Sequence, residues 1–118
     1  MIKIEIETML TKNNLSKDDI GKIISINDLM FVFTVPYTSS GKRYFYINTS
    51  DSKKEYFCYI LVGEFSKRIH SGSIIKSLTA TVIKTRKHQF DEKPEFMLFI
   101  SKIELLGERS LKVNINHV

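Results

Sequence analysis

Between Ser73 and Thr85 the side chains take turns, with Leu78, Ala80 and Val82 on one parity and Ser77, Thr79 and Thr81 on the other. A period of two marks a half-buried β-strand, because successive side chains leave a pleated backbone on opposite faces. The same period opens the chain, where Ile2, Ile4 and Ile6 alternate with Lys3, Glu5 and Glu7. Composition agrees with a sheet. Alanine occurs once, at Ala80, among abundant Ile, Val, Thr, Phe and Tyr, a bias that disfavours helix.

A length of 118 residues suits a single domain, 1–118, with a core over about 18–106, an added strand at 1–10 and an extension at 107–118. Hydrophobic residues at 42% and charged residues at 26% are the proportions of a folded globular chain and exclude a disordered one. No apolar run approaches the roughly 20 residues of a membrane span. Met1 to Leu10 carries Glu5 and Glu7 and lacks a small-residue cleavage site, unlike a secretory signal. A cytoplasmic protein with no membrane partner is expected.

Function classes narrow further on reactive residues. Cys58 stands alone inside the apolar run Tyr56 to Val62, where it reads as a small buried hydrophobe. His70, His88 and His117 are scattered without metal-ligand spacing. Nucleophile–base pairs and phosphate-cradling glycine loops are missing, and Asp18-Asp19 and Asp91-Glu92 read as turn decoration. The expectation is a protein that is not an enzyme, with no catalytic residue, no metal and no cofactor.

Along the chain, Ser16 and Asp19 have the spacing of a capping pair that opens a short helical turn. Gly21 to Val35 reads as one bent strand or two short ones, closed by Pro36, which cannot donate to a ladder. Thr38 to Gly41 is a polar turn, so Tyr37 to Lys42 reads as a hairpin loop. Arg43 to Asn48 and Glu55 to Val62 are strands about the turn Thr49 to Lys54. Phe65 and Ile69, four apart within Gly63 to His70, suit about two turns of helix ended by Ser71-Gly72. Ser73 to Thr85 and Glu95 to Leu106 complete the set across the polar connection Lys84 to Pro94. The change of phase from Phe96, Leu98 and Ile100 to Ile103 and Leu106 predicts a β-bulge.

The order is therefore all-β with one short helix, β-β-β-α-β-β plus an extra N-terminal strand. That is the connectivity of a five-stranded OB-fold barrel, whose second and third strands and two loops bind oligonucleotides in many of its members. The stretch Tyr56-Phe-Cys-Tyr-Ile-Leu-Val-Gly63, the short helix to Ile69, the turn Ser71-Gly72-Ser73 and the strand Leu78-Thr-Ala-Thr-Val82 resemble the second half of bacterial single-stranded DNA-binding proteins. The likeness spans 18–106 in outline and 55–106 more closely. It implies a ligand of single-stranded DNA and a stacking place for Tyr56. The chain differs from that family in having no tryptophan and in ending Lys112-Val-Asn-Ile-Asn-His-Val118 rather than in an acidic tail. A specialised binder is expected instead, acting in replication of a plasmid, phage or other mobile element.

Charge and rings support the same ligand independently. The net charge is +5, and from Phe65 to Phe90 the chain has no acidic residue. A single strand is held by cations along its phosphates and by rings that stack on its bases. The loop from Tyr37 supplies Lys42 and Arg43, and the loop from Lys84 supplies Arg86, Lys87 and Phe90. Burying Phe45 and Ile47 would turn Tyr44 and Tyr46 to the opposite face. On strand 55–62 both parities are apolar, so its facing is open. Tyr44, Tyr46 and Tyr56 could equally close a core, whereas Phe31 and Phe33 read as core residues.

The expected site is thus Lys42, Arg43, Tyr44, Tyr46, Tyr56, Lys84, Arg86, Lys87 and Phe90, binding single strands without strong sequence preference. RNA would use the same surface. The alternative is an OB-fold subunit that docks on a polymerase, primase or helicase, with Ile2 to Ile6 or Leu111 to Ile115 offering edges for β-pairing or for oligomer formation.

Overall fold

The computed structural model describes the backbone of 11–12 and 112–114 and the full residues 15–86 and 94–106. The expected strand at 1–10, the cation Lys87 and the ring of Phe90 lie outside the described residues, as does most of the extension at 107–118. The strands are β1 (Thr11–Lys12), β2 (Ile23–Ile26), β3 (Met30–Val32), β4 (Tyr37–Ser39), β5 (Lys42–Thr49), β6 (Lys54–Leu61), β7 (Ile74–Lys84), β8 (Phe96–Leu105) and β9 (Lys112–Asn114).

These strands close a five-membered barrel. Its first member is split into β2, which runs antiparallel to β7, and β3, which bridges β5 and β7. β5 then pairs with β6, and β7 with β8, both antiparallel. The parallel pairing of β6 with β8, Cys58 opposite Leu98 and Tyr59 opposite Phe99, seals the wall. The order is that of an OB-fold barrel, as the sequence leads one to expect. β9, within the C-terminal segment expected to offer an edge, pairs antiparallel with β8 and ends the sheet order on that side.

Side-chain parity decides which face each strand buries. Phe45 and Ile47 of β5, Cys58 and Ile60 of β6, Leu78, Ala80 and Val82 of β7 and Leu98 and Ile100 of β8 share one interior cluster. β3 departs from expectation. Met30 and Val32 point inward and are fully buried, which leaves Phe31 at 38% and Phe33 at 41% exposure rather than in the core. The parity of β3 is fixed by its register, Met30 opposite Thr49 and Val32 opposite Ile47, so ring size has no say.

The split between β2 and β3 is stapled to the turn between β5 and β6. The Asp28 carboxylate accepts from the amides of Asp51 (3.0 Å) and Ser52 (3.2 Å), and the Leu29 carbonyl accepts from the Ser50 amide (2.7 Å). At the chain's start, Ser16 and Asp19 form a reciprocal capping box over the 3₁₀ turn Lys17–Asp19, as their spacing predicts.

The expected bulge falls at Ser101. Thr79 faces Lys102 while Ala80 faces Ile100, leaving Ser101 unopposed, and its hydroxyl donates to the Thr79 carbonyl at 3.2 Å. That insertion keeps Ile103 and Leu105 buried after Ile100, with Leu106 exposed instead of continuing the inner set. The helix expected over 63–70 shrinks to one 3₁₀ turn, Ser66–Arg68, because the backbone at Ile69 is already extended. Ser66 shapes that turn by accepting from the Gly63 amide and donating to the Gly63 carbonyl. Ile69 then plugs the interior cluster. Among the described residues, no helix is long and apolar enough to cross a membrane.

Candidate nucleic-acid interface

The face opposite the core carries the rings. On β5 the parity that buries Phe45 and Ile47 turns Tyr44 and Tyr46 outward, where they pack with Phe57, Tyr59 and Met97 in a second cluster that also takes in Ile83 and Phe99. Cross-strand register aligns these side chains in rows. Tyr37 lies opposite Tyr44, Tyr44 opposite Tyr59, Tyr59 opposite Phe99, and Phe99 opposite Thr81. In the neighbouring row Tyr46 faces Phe57, and Met97 faces Ile83.

Ring geometry makes the rows continuous. Tyr37 stacks on Tyr44 with centroids 5.2 Å apart and planes 20° from parallel, and Tyr59 stacks on Phe99 at 4.9 Å and 19°. Between them Tyr44 and Tyr59 sit 5.7 Å apart at 44°. Phe57 joins the rows, 4.6 Å from Tyr46 and 5.7 Å from Tyr44, and Phe33 extends the second row at 5.8 Å from Tyr46. Pairs at such distances stabilise by about 0.5–1.5 kcal/mol beyond area burial. The centre of the array is covered, with Phe57 at 1% and Tyr59 at 8% exposure, whereas Phe33 and Tyr37 at its edge are 41% and 42% exposed.

That edge is built by a short arm. After Val32 the chain peels away from β5. The Phe33 amide reaches the Tyr46 carbonyl at 3.3 Å, while the Thr34 hydroxyl replaces the next backbone acceptor by taking the Tyr46 amide at 3.1 Å. The segment Tyr37–Ser39 expected as loop is β4, and it returns to β5 through Ser40 and Gly41, with φ of +53° and +75°. Two successive positive φ values give the two-residue turn whose twist matches paired strands, which suits glycine at Gly41.

Cations flank the rings unequally. The Lys42 ammonium lies 4.9 Å from the centroid of Tyr59, within cation–π range. Lys84 and Arg86 are exposed and follow Ile83 in the chain, but Lys84 lies opposite Phe96 and shares the parity of Val82 rather than that of Ile83 and Met97. Arg43 is placed differently from the sequence reading. It shares the inward parity of Phe45, and its guanidinium donates to the Ile69 carbonyl at 2.9 Å and the Thr38 hydroxyl at 3.4 Å, fastening the 3₁₀ turn and the arm to β5. Arg43 therefore belongs to the scaffold.

Tyr56 also requires correction. It falls on the parity of Cys58 and Ile60 and is 9% exposed within the interior cluster, so it is not on the face of Tyr44 and Tyr46. Phe57 and Tyr59 take that face instead. Burial pushes the Tyr56 phenol above the ordinary tyrosine range, with a smaller push from Cys58, and burial does the same for Tyr59 with help from Tyr44. The Cys58 thiol is fully buried and pushed up strongly, which makes it an inert core group. No group of three or more His, Cys, Asp or Glu side chains is placed to share a metal ion among the described residues.

Of the residues expected from the sequence, Tyr44, Tyr46 and Lys42 lie on the outward face, where the structure also gathers Phe33, Tyr37, Phe57, Tyr59 and Phe99, which the sequence reading did not single out. The missing signal was register. Once Tyr44 and Tyr46 face outward, antiparallel pairing across the 49–54 turn would have named Tyr59 and Phe57 as their neighbours.

No protein-family model matches the chain, and no curated protein sequence does. Solved structures do. An aspartyl-tRNA synthetase from Entamoeba histolytica superposes with a TM-score of 0.56 at 12% identity, over 85% of this chain and 22% of that one. A putative aspartyl-tRNA synthetase from Leishmania major Friedlin gives 0.52 at 13% identity, over 89% and 25%. The chain thus spans about a quarter or less of each enzyme's length. The likeness is one of fold, and the fold it shares is the OB-type barrel.

Proposed function

We propose that this protein binds single-stranded nucleic acid, with single-stranded DNA as its ligand and little dependence on sequence. The observation that carries this reading is the pair of outward ring rows on β5, β6 and β8 with Lys42 on the same face, while exposed Lys84 and Arg86 follow Ile83 along the chain. Bases meet rings, phosphates meet cations, and neither contact distinguishes one base from another. The barrel itself contributes position and no chemistry, so the protein is read as a non-catalytic subunit serving replication of a mobile element.

The two superposed structures are an aspartyl-tRNA synthetase and a putative one, and at the level of fold they support a nucleic-acid ligand in general. RNA is accordingly the competing ligand. A labelled oligo-dT titrated at two salt concentrations is expected to bind saturably, with a log–log salt slope of about −0.7 per neutralised phosphate. Matched RNA is expected to compete less well than DNA. Absence of saturable binding at low salt removes the reading, and stronger competition by RNA reassigns the ligand.

One observation favours the docking alternative. Among the described residues β4 pairs only with β5, and Val35 beside it is 80% exposed, an edge with an apolar flank. A stoichiometric complex with a polymerase, primase or helicase that survives neutralisation of Lys42, Lys84 and Arg86 would support that second role.

A further inference from the structure

We infer that the bases are received first by Phe33 and Tyr37, at the edge of the ring array, and that the strand there runs along β5 rather than across the sheet. The inference rests on the nucleic-acid reading above and narrows it to two residues on the arm.

The inner rings have little face to offer. Tyr44 has Tyr37 stacked on it and Phe57 and Tyr59 beside it, and Phe57 and Tyr59 are almost wholly covered. A base taking the face of Tyr44 that Tyr37 covers would have to prise Tyr37 away, which would break both a stacked ring pair and the β4 ladder. The outer surfaces of Tyr37 and Phe33 are already in solvent. A base stacking there lengthens an existing row.

Spacing sets the direction. Phe33 abuts Tyr46 and Tyr37 abuts Tyr44, and those two tyrosines are alternate residues of one strand, about 7 Å apart. Two successive nucleotides of an extended single strand span such a gap. Lys42 lies one step further along the same face of β5, opposite Ser39, where it can follow the next phosphate. Exposed aromatics next to a cation suit a strand that carries both π-faces and negative charge.

The protein has no tryptophan, so Tyr37→Trp introduces a single reporter into the full chain. Oligo-dT is expected to quench that emission saturably. Phe33→Ala and Tyr37→Ala should each weaken oligo-dT binding by about 5- to 150-fold, the range for loss of one stacked base. Both side chains are exposed, and a cooperative thermal transition in each variant, lowered only by the loss of one ring pair, verifies the fold. Two results overturn the inference in distinguishable ways. If Phe33→Ala and Tyr37→Ala bind like the unaltered protein while Lys42→Glu binds poorly, the edge assignment fails and the nucleic-acid reading stands. If neither the unaltered protein nor any variant binds oligo-dT, both fail together.

Discussion

The two faces of β5 and β6 are built from the same kinds of residue and do different work. Inward, Phe45, Ile47, Cys58 and Ile60 meet apolar neighbours from every other barrel strand and are sealed from water. Outward, Tyr44, Tyr46, Phe57 and Tyr59 meet mostly one another, in rows that end at exposed rings and at a lysine. Hydrophobicity alone does not separate these faces. What separates them is closure: the interior has no edge, whereas the ring array has one, and an edge is where a ligand can join.

Adjacent substitutions on β5 test that contrast most severely. Phe45→Ala empties a fully buried site and should cost about 3–5 kcal/mol in urea unfolding. Tyr44→Ala, one residue away, removes a half-buried ring and should cost about 1–3 kcal/mol. Oligonucleotide affinity should fall for Tyr44→Ala, because the row that supports Tyr37 is broken. Equal stability losses at the two positions would erase the distinction between the faces.

High pH probes both faces together. Tyr56 inside and Tyr59 outside have folded-state phenol pKa values raised above the ordinary value of 10.0. The folded protein therefore holds these protons more tightly than the unfolded chain. Their contribution is fully present below the ordinary value and is lost as pH rises through it toward the folded values. Urea midpoints measured from neutral to strongly alkaline pH should fall through that upper window, with buried Cys58 starting the fall from its own ordinary value of 9.0, and Tyr56→Phe should shallow the tyrosine part of it. An unchanged slope in Tyr56→Phe would contradict burial of that phenol.

The smallest effect is expected at the strap between the faces' far ends. Asp28→Ala removes the acceptor that holds the amides of Asp51 and Ser52 and should cost about 1 kcal/mol, read as a modest loss of midpoint in the same urea experiment. Oligonucleotide affinity should not move, since the bend lies away from the arm.

How much of this was legible depends on whether a strand's two parities differ chemically. On β7 the hydroxyls of Ser77, Thr79 and Thr81 against Leu78, Ala80 and Val82 leave one solution, and the strand forms as read. On β5 the tyrosines against Phe45 and Ile47 were just polar enough. On β6 every residue from Tyr56 to Leu61 is apolar, and only pairing with β5 and β8 puts Tyr56 inside and Tyr59 outside. β3 fails for the same reason, since Phe31 and Phe33 lose the interior to Met30 and Val32 by register alone. Arg43 shows a different limit. A basic residue beside tyrosines reads as a phosphate contact until its parity sends the guanidinium to the Ile69 carbonyl.

The most direct measurement is the map of backbone and side-chain NMR shifts as unlabelled oligo-dT is added to the isotope-labelled protein. Shifts are expected at Phe33, Tyr37, Lys42 and Tyr44, decreasing inward along the rows to Phe99, while the methyl groups of Ile47, Ile60 and Leu98 stay in place. Shifts gathered instead around Tyr56 and the Lys17–Asp19 turn, with the ring array unmoved, would contradict the assignment of the outer face.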